Sequence, residues 1–119
     1  MTTLEEFFAG EETSQTIYWN LIPAIDVLGP VEITVTKSQI AFRHRKAFAW
    51  AWIPGKYLRG RTAPLVLSVV LNRRDPSPRW KQIVELRKGS FMHHLELYSG
   101  DEIDDEVREW LEESWEVMG

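Results

Sequence analysis

The sequence predicts an α+β fold, in which an antiparallel sheet of about six strands follows an N-terminal helix (or two) and an amphipathic C-terminal helix packs on one face. Three observations carry that prediction. Apolar residues recur at helical spacing near both ends of the chain. The stretch between them breaks into short runs with period-two alternation. Those runs are joined by hairpin-length turns, which leaves no room for the crossover helices of a parallel sheet.

At the N-terminus, Thr3 and Glu6 have capping-box spacing ahead of Leu4, Phe7 and Phe8, and Gly10 ends the turn, so a short helix is expected. A longer helix should begin near Thr13 or Ser14, with Ile17, Tyr18, Leu21, Ile22, Ile25 and Leu28 as its apolar stripe. Pro23 lies inside that stripe and predicts a kink or a late start; Gly29-Pro30 ends the helix. In the first strand, Val31, Ile33 and Val35 share one face, and Glu32, Thr34 and Thr36 share the other. Lys37-Ser38 turns the chain into a second strand with Ile40 and Phe42 inward. A third, Ala47 to Ile53, sets Phe48, Trp50 and Trp52 on one side and Ala47, Ala49 and Ala51 on the other. Pro54-Gly55 ends it and opens a Gly- and Arg-rich loop. Leu65 to Leu71 is apolar on both faces, as a central strand should be. Lys81 to Leu86 and Phe91 to Leu97 read as two further strands joined at Lys88-Gly89. Ser99 and Glu102 form a second capping box, taken as the start of a helix with Ile103, Val107, Trp110, Leu111, Ser114, Val117 and Met118 on one side and acids on the other.

With 119 residues, 44% hydrophobic and 27% charged, the chain has the length and composition of one globular domain, and residues 1–119 are expected to form it, with 1–10 as a short arm or helix. It has no cysteine, which excludes disulfides, thiolate metal sites and cysteine nucleophiles and fits a reducing compartment. The first ten residues carry Glu5 and Glu6 and no basic segment, unlike a secretory signal, and the longest apolar run is too short for a bilayer. A cytoplasmic location is therefore expected, with no membrane partner.

The net charge of −4 conceals a sorting of charge along the chain. Thirteen of the fourteen Lys and Arg lie between Lys37 and His94, opposed there only by Asp75 and Glu85, a formal +11. The two ends carry the other sixteen acids and one base, Arg108. Such sorting suggests a surface.

Several segments match a known family. Gly29-Pro30-Val31-Glu32, Thr36 to Arg43, Phe48-Ala49-Trp50-Ala51-Trp52, Arg73-Arg74, His93-His94 and Asp105 to Arg108 with Trp110-Leu111 resemble the domain of unknown function 5655 family. The resemblance runs from Gly10 onward and implies a small bacterial or archaeal protein with no assigned activity or catalytic residues. The helix–sheet–helix order is also similar to the frataxin-like arrangement of small iron-chaperone domains, a likeness of fold that says little about function.

Each candidate constellation has a plainer alternative. Arg43, Arg45, Arg73, Arg74 and Arg79, with Lys56, Arg59 and Arg61, could line one phosphate-attracting surface, or be neutralised by the acidic C-terminal helix. Phe48, Trp50 and Trp52 could stack bases, or be core. His93 and His94 point to opposite faces and cannot readily share a metal; His44 could meet one of them across strands with Glu96, though no zinc spacing is matched. The carboxylates of the last helix could bind iron or calcium, or be its solvated face. Thr36-Lys37-Ser38-Gln39 could hold an oxyanion, or be a well-made hairpin turn. No P-loop, dinucleotide fingerprint, nucleophile elbow or His-Glu-x-x-His is present. Asp75 with Glu85-x-Arg87 only faintly matches a metal-dependent nuclease pattern.

The reading is therefore a non-catalytic binding domain, with Lys37, Gln39, Arg43, Arg45, Arg73, Arg74, His93 and His94 receiving an anionic ligand, a nucleic acid or an acidic protein surface. No catalytic residue, metal ligand or cofactor is assigned. The alternatives are a metal handler or metal-dependent enzyme using histidines and carboxylates, a nucleic-acid-binding module, and a homodimer in which the basic sheet of one copy meets the acidic helix of another.

Overall fold

The computed structural model describes residues 1–118. Helices α1 (Leu4–Phe7) and α2 (Glu12–Asp26) are followed by six strands: β1 (Glu32–Val35), β2 (Ile40–Arg43), β3 (Ala47–Trp52), β4 (Leu65–Leu71), β5 (Gln82–Arg87) and β6 (Ser90–Leu97). Helix α3 (Asp105–Val117) closes the chain, and single 3-10 turns lie at Pro54–Lys56 and Gly100–Glu102. The strands form one sheet in the order β1-β2-β3-β4-β6-β5, with every neighbouring pair antiparallel. The α+β prediction therefore stands, strand for strand.

The N-terminal capping box forms as the spacing requires: Thr3 Oγ1 accepts from the Glu6 amide, and a Glu6 carboxylate oxygen accepts from the Thr3 amide. Helix α2 neither starts late nor stops at Pro23 but runs through it. Pro23 is exposed there, where the missing backbone donor costs one helical bond and no packing. The Ser99–Glu102 box caps the 3-10 turn, not the helix. α3 starts later, and the Asp104 carboxylate caps it by accepting from the Val107 amide at 3.1 Å.

The helices pack on one face of the sheet. Ile40, Phe42, Ala49, Ala51, Leu67, Val69 and Leu95 join Ile17, Leu21, Ile25, Val107 and Leu111 in one core cluster. Ala49 and Ala51 are fully buried beneath those helices, so the alanine side of β3 is the covered side. Phe48 escapes its expected alternation. Between Phe42 and Arg43 the β2–β3 register slips, Ala47 pairs with Arg43, and Phe48 becomes an extra residue buried in the core. The three aromatics of β3 thus do not share a face. β1 is an edge strand, and the half-buried alternation expected of it is not seen: Glu32, Ile33 and Thr34 are all exposed, Ile33 at 39%.

Where β3 and β4 splay past the Ala49–Val69 pair, α3 supplies the missing partner. Ser114 Oγ reaches the Phe48 carbonyl at 2.8 Å and the Val70 carbonyl at 2.6 Å.

Candidate functional site

The opposite face of the sheet carries no helix. Across it, register aligns Ala41, Trp50, Ser68, His94 and Gln82 in one row, and Trp52, Val66 and Glu96 in the next. Trp50, Trp52, Met92 and His94 are half-buried, while Val66, Ser68 and Val70 of central β4 are buried beneath their neighbours. Large side chains on β3 and β6 therefore do the work that a second layer would otherwise do.

Those side chains leave two hollows. The larger, about 460 Å³, is lined by Ser38, Gln39, Trp50, Trp52, Tyr57, Ser68, Met92 and His94. The smaller, about 180 Å³, is lined by Trp52, Pro54, Leu58, Val66, Lys81, Gln82, His94 and Glu96. Trp52 and His94 belong to both and form the ridge between them. Tyr57 and Leu58, from the loop after β3, stand 55% and 57% exposed at the margins, an uncommon position for two large side chains.

A hydrogen-bonded chain runs along the floor. Trp52 Nε1 donates to Ser68 Oγ at 2.9 Å, and Ser68 Oγ lies 2.7 Å from His94 Nδ1. Burial, with the neighbouring His93 imidazole adding to it, holds the His94 pKa below the ordinary histidine value, so the ring is neutral near pH 7.

The predicted site residues separate into three groups. Gln39 and His94 line the larger hollow, and Lys37 sits on the turn at its rim. Arg43 and Arg45 are exposed at the far end of β2 and in the following turn. Arg73, Arg74 and His93 lie elsewhere. Arg73 Nε and Nη2 make a fork on the Glu113 carboxylate at 2.9 and 2.8 Å, and Nη1 reaches Asp75 at 2.7 Å. Arg74 lies 5.3 Å from the Phe91 ring centroid. His93 is fully buried: Nε2 accepts from the Asp75 amide at 3.0 Å, and Nδ1 lies 3.2 Å from the Phe91 carbonyl. Burial holds His93 below the ordinary imidazole value.

Arg79 follows the same pattern as Arg73, bonding Asp104, Glu106 and the Glu102 carbonyl. Part of the basic block is therefore matched by the acidic closing helix, through Arg73 and Arg79. The Thr36–Gln39 segment is a self-contained turn, since Thr36 Oγ1 already takes the amides of Ser38 and Gln39. The three histidines do not meet: His93 is in the core, His94 is on the open face, and His44 stacks on Trp115 at 4.2 Å. Among the described residues, no three metal-ligating side chains come together.

Sequence reasoning weighed Ser38 only as part of an oxyanion-binding turn, and missed Ser68, Tyr57 and Met92. Ser68 had a signal: one hydroxyl in a strand apolar on both faces must find a partner, and that partner had to come from a neighbouring strand. Tyr57 and Met92 depend on how a loop and a hairpin fold back, which no spacing encodes.

No helix among the described residues is long and apolar enough to cross a membrane. Neither a curated protein nor a solved structure matches the chain. A family model does, over residues 4–118, so the chain belongs to the family described as Domain of unknown function (DUF5655).

Proposed function

We propose that this chain is a non-catalytic binding domain whose ligand lies on the open face of the sheet, against Trp50, Trp52 and His94. The observation that carries this reading is the larger hollow, whose volume of about 460 Å³ suits a small molecule and whose walls are aromatic with a few polar groups. Lys37 at the rim and Lys81 in the smaller hollow would face any anionic part of the ligand. Arg43 shares this face by alternation with Ala41, but Glu32 of β1 stands directly opposite it and offsets its charge. Arg73, Arg74 and His93 are left to structural roles.

The Ser68–His94 pair does not make the site hydrolytic. Ser68 is 2% exposed and its oxygen already accepts from Trp52, so it has no path to a substrate carbonyl. His94 has only Ser68 as a hydrogen-bond partner among the described residues, so no carboxylate orients it as a base.

The test is shift mapping by two-dimensional NMR with a library of neutral, anionic and aromatic fragments. Binders should perturb residues 38–39, 50–52, 66–68 and 92–94, and should lose their effect in Trp50→Ala. Perturbations gathered instead around Arg73 and Arg74, or none at any fragment concentration, would refute the assignment. Retention of single-stranded oligonucleotides that weakens steeply with salt would extend it to nucleic acid, since tryptophans on a sheet can stack bases.

A further inference from the structure

Resting on that reading, we infer that the larger hollow selects a neutral planar heterocycle that accepts hydrogen bonds at its edge, a nucleobase-like ring, through Trp50 Nε1–H and His94 Nε2–H. Ser68 Oγ accepts the Trp52 indole proton, and the only other group within its reach among the described residues is His94 Nδ1. An indole nitrogen donates and cannot accept, so the serine hydroxyl proton goes to His94 Nδ1. That places the imidazole proton on Nε2.

Among the described residues, His94 makes its one side-chain hydrogen bond through Nδ1, and neither His94 Nε2 nor Trp50 Nε1 has a partner. Yet no buried side-chain nitrogen or oxygen among the described residues lacks a partner. Neither N–H group is therefore fully buried, and both half-buried side chains line the larger hollow, His94 standing between it and the smaller one. They flank Ser68 in one register row, two strand spacings apart, or about 10 Å between backbones. Long aromatic side chains reaching inward from that separation can contact opposite edges of one ring system.

The lining also decides what cannot bind well. None of the eight residues around this hollow is Asp, Glu, Lys or Arg. A charge buried there would lose water and gain no counter-ion, whereas a neutral ring loses little and covers the tryptophans. The fixed donors then ask for acceptors, and an apolar ring without them would leave two N–H groups desolvated. A phosphate attached to such a ring would sit outside, toward Lys37.

The test uses adenosine and its 1-deaza, 3-deaza and 7-deaza analogues, titrated against the full chain and followed by NMR. Each analogue replaces one ring acceptor with C–H at nearly constant shape. At least one should bind about tenfold more weakly than adenosine, the scale of one lost hydrogen bond. Trp50→Phe keeps the ring and removes its donor; His94→Asn keeps an acceptor for Ser68 and removes the reach of Nε2. Each should weaken adenosine by a similar factor while leaving the melting temperature close to that of the parent, and His94→Gln should recover part of the loss. Equal binding of all four nucleosides, or tighter binding of indole-3-acetate than of adenosine, would overturn the inference while leaving an open-face site in place. Failure of every probe to perturb the open face would remove the site itself.

Discussion

At the scale of single residues, the polar groups that matter are those the fold has buried and paired. Ser114 is fully buried, and its single hydroxyl proton is shared between the Phe48 and Val70 carbonyls. Ser114→Ala should cost about 1–3 kcal/mol, the range for stranding buried polar groups, read from urea unfolding. His93 gives the fold a pH dependence. Burial holds its folded pKa below the unfolded value of 6.5, and His94 shifts in the same direction. The unfolded chain therefore takes up protons first, so their stabilisation is complete above about pH 6.5 and declines as the pH falls below it. Asp75 adds a second decline at lower pH. Burial alone would raise its pKa, but bonds from Trp80, Ser77 and Arg73 outweigh burial and hold it below 3.8. Urea midpoints should fall between pH 7.5 and 5, and His93→Gln should flatten that slope. A slope unchanged in the variant would place the titration elsewhere.

Between elements, the closing helix is held by charge as well as by its apolar stripe. Val107, Trp110 and Leu111 are buried on the sheet side, while Arg73 and Arg79 reach across from the β4–β5 connection to carboxylates at either end of α3. Arg79 also lies 5.6 Å from the Trp110 ring centroid, so its removal loses cover as well as charge. Arg79→Ala should destabilise the protein by about 1–2 kcal/mol, while Arg45→Ala, exposed and unbridged among the described residues, should stay within about 0.5 kcal/mol. Matching effects from the two substitutions would mean that the Arg79 bridges contribute nothing. Gly29 marks another junction. Its φ of +129° is open to glycine, and a Cβ there would meet Trp115 Cζ2 at 2.8 Å. Gly29→Ala should therefore lower the melting temperature by disturbing the α2–β1 connection against α3.

Across the whole molecule, stability should grade outward from β4. That strand is buried along its entire length, between helices on one face and the tryptophans, Met92 and His94 on the other. Its amides should exchange with solvent only on global unfolding, whereas those of edge strands β1 and β5, mostly exposed, should exchange through local opening. Leu67→Ala should cost about 2–5 kcal/mol because the cavity opens in the middle of this layer. The long-range charge pattern is also resolved at this scale. Basic and acidic segments far apart in sequence meet within one copy, at Arg73–Glu113 and Arg79–Asp104, so the contact imagined between two copies is in part already made within one.

The secondary-structure elements were legible from local signals in the chain. Alternation, helical spacing, capping boxes and turn residues are local, and they were enough to fix six strands, their approximate limits and the helix at each end. The sequence also indicated that Gln39, His94 and the β3 tryptophans carried chemistry worth weighing. Which face stayed open was set by packing between elements. The slipped register that turns Phe48 inward belongs to the β2–β3 hairpin, whereas the helices that choose the alanine side of β3 and the salt bridges from Arg73 and Arg79 to α3 and its cap are contacts between distant segments. Local pattern can mark a side chain as inward or outward on its own strand; which side becomes the core depends on where the helices land.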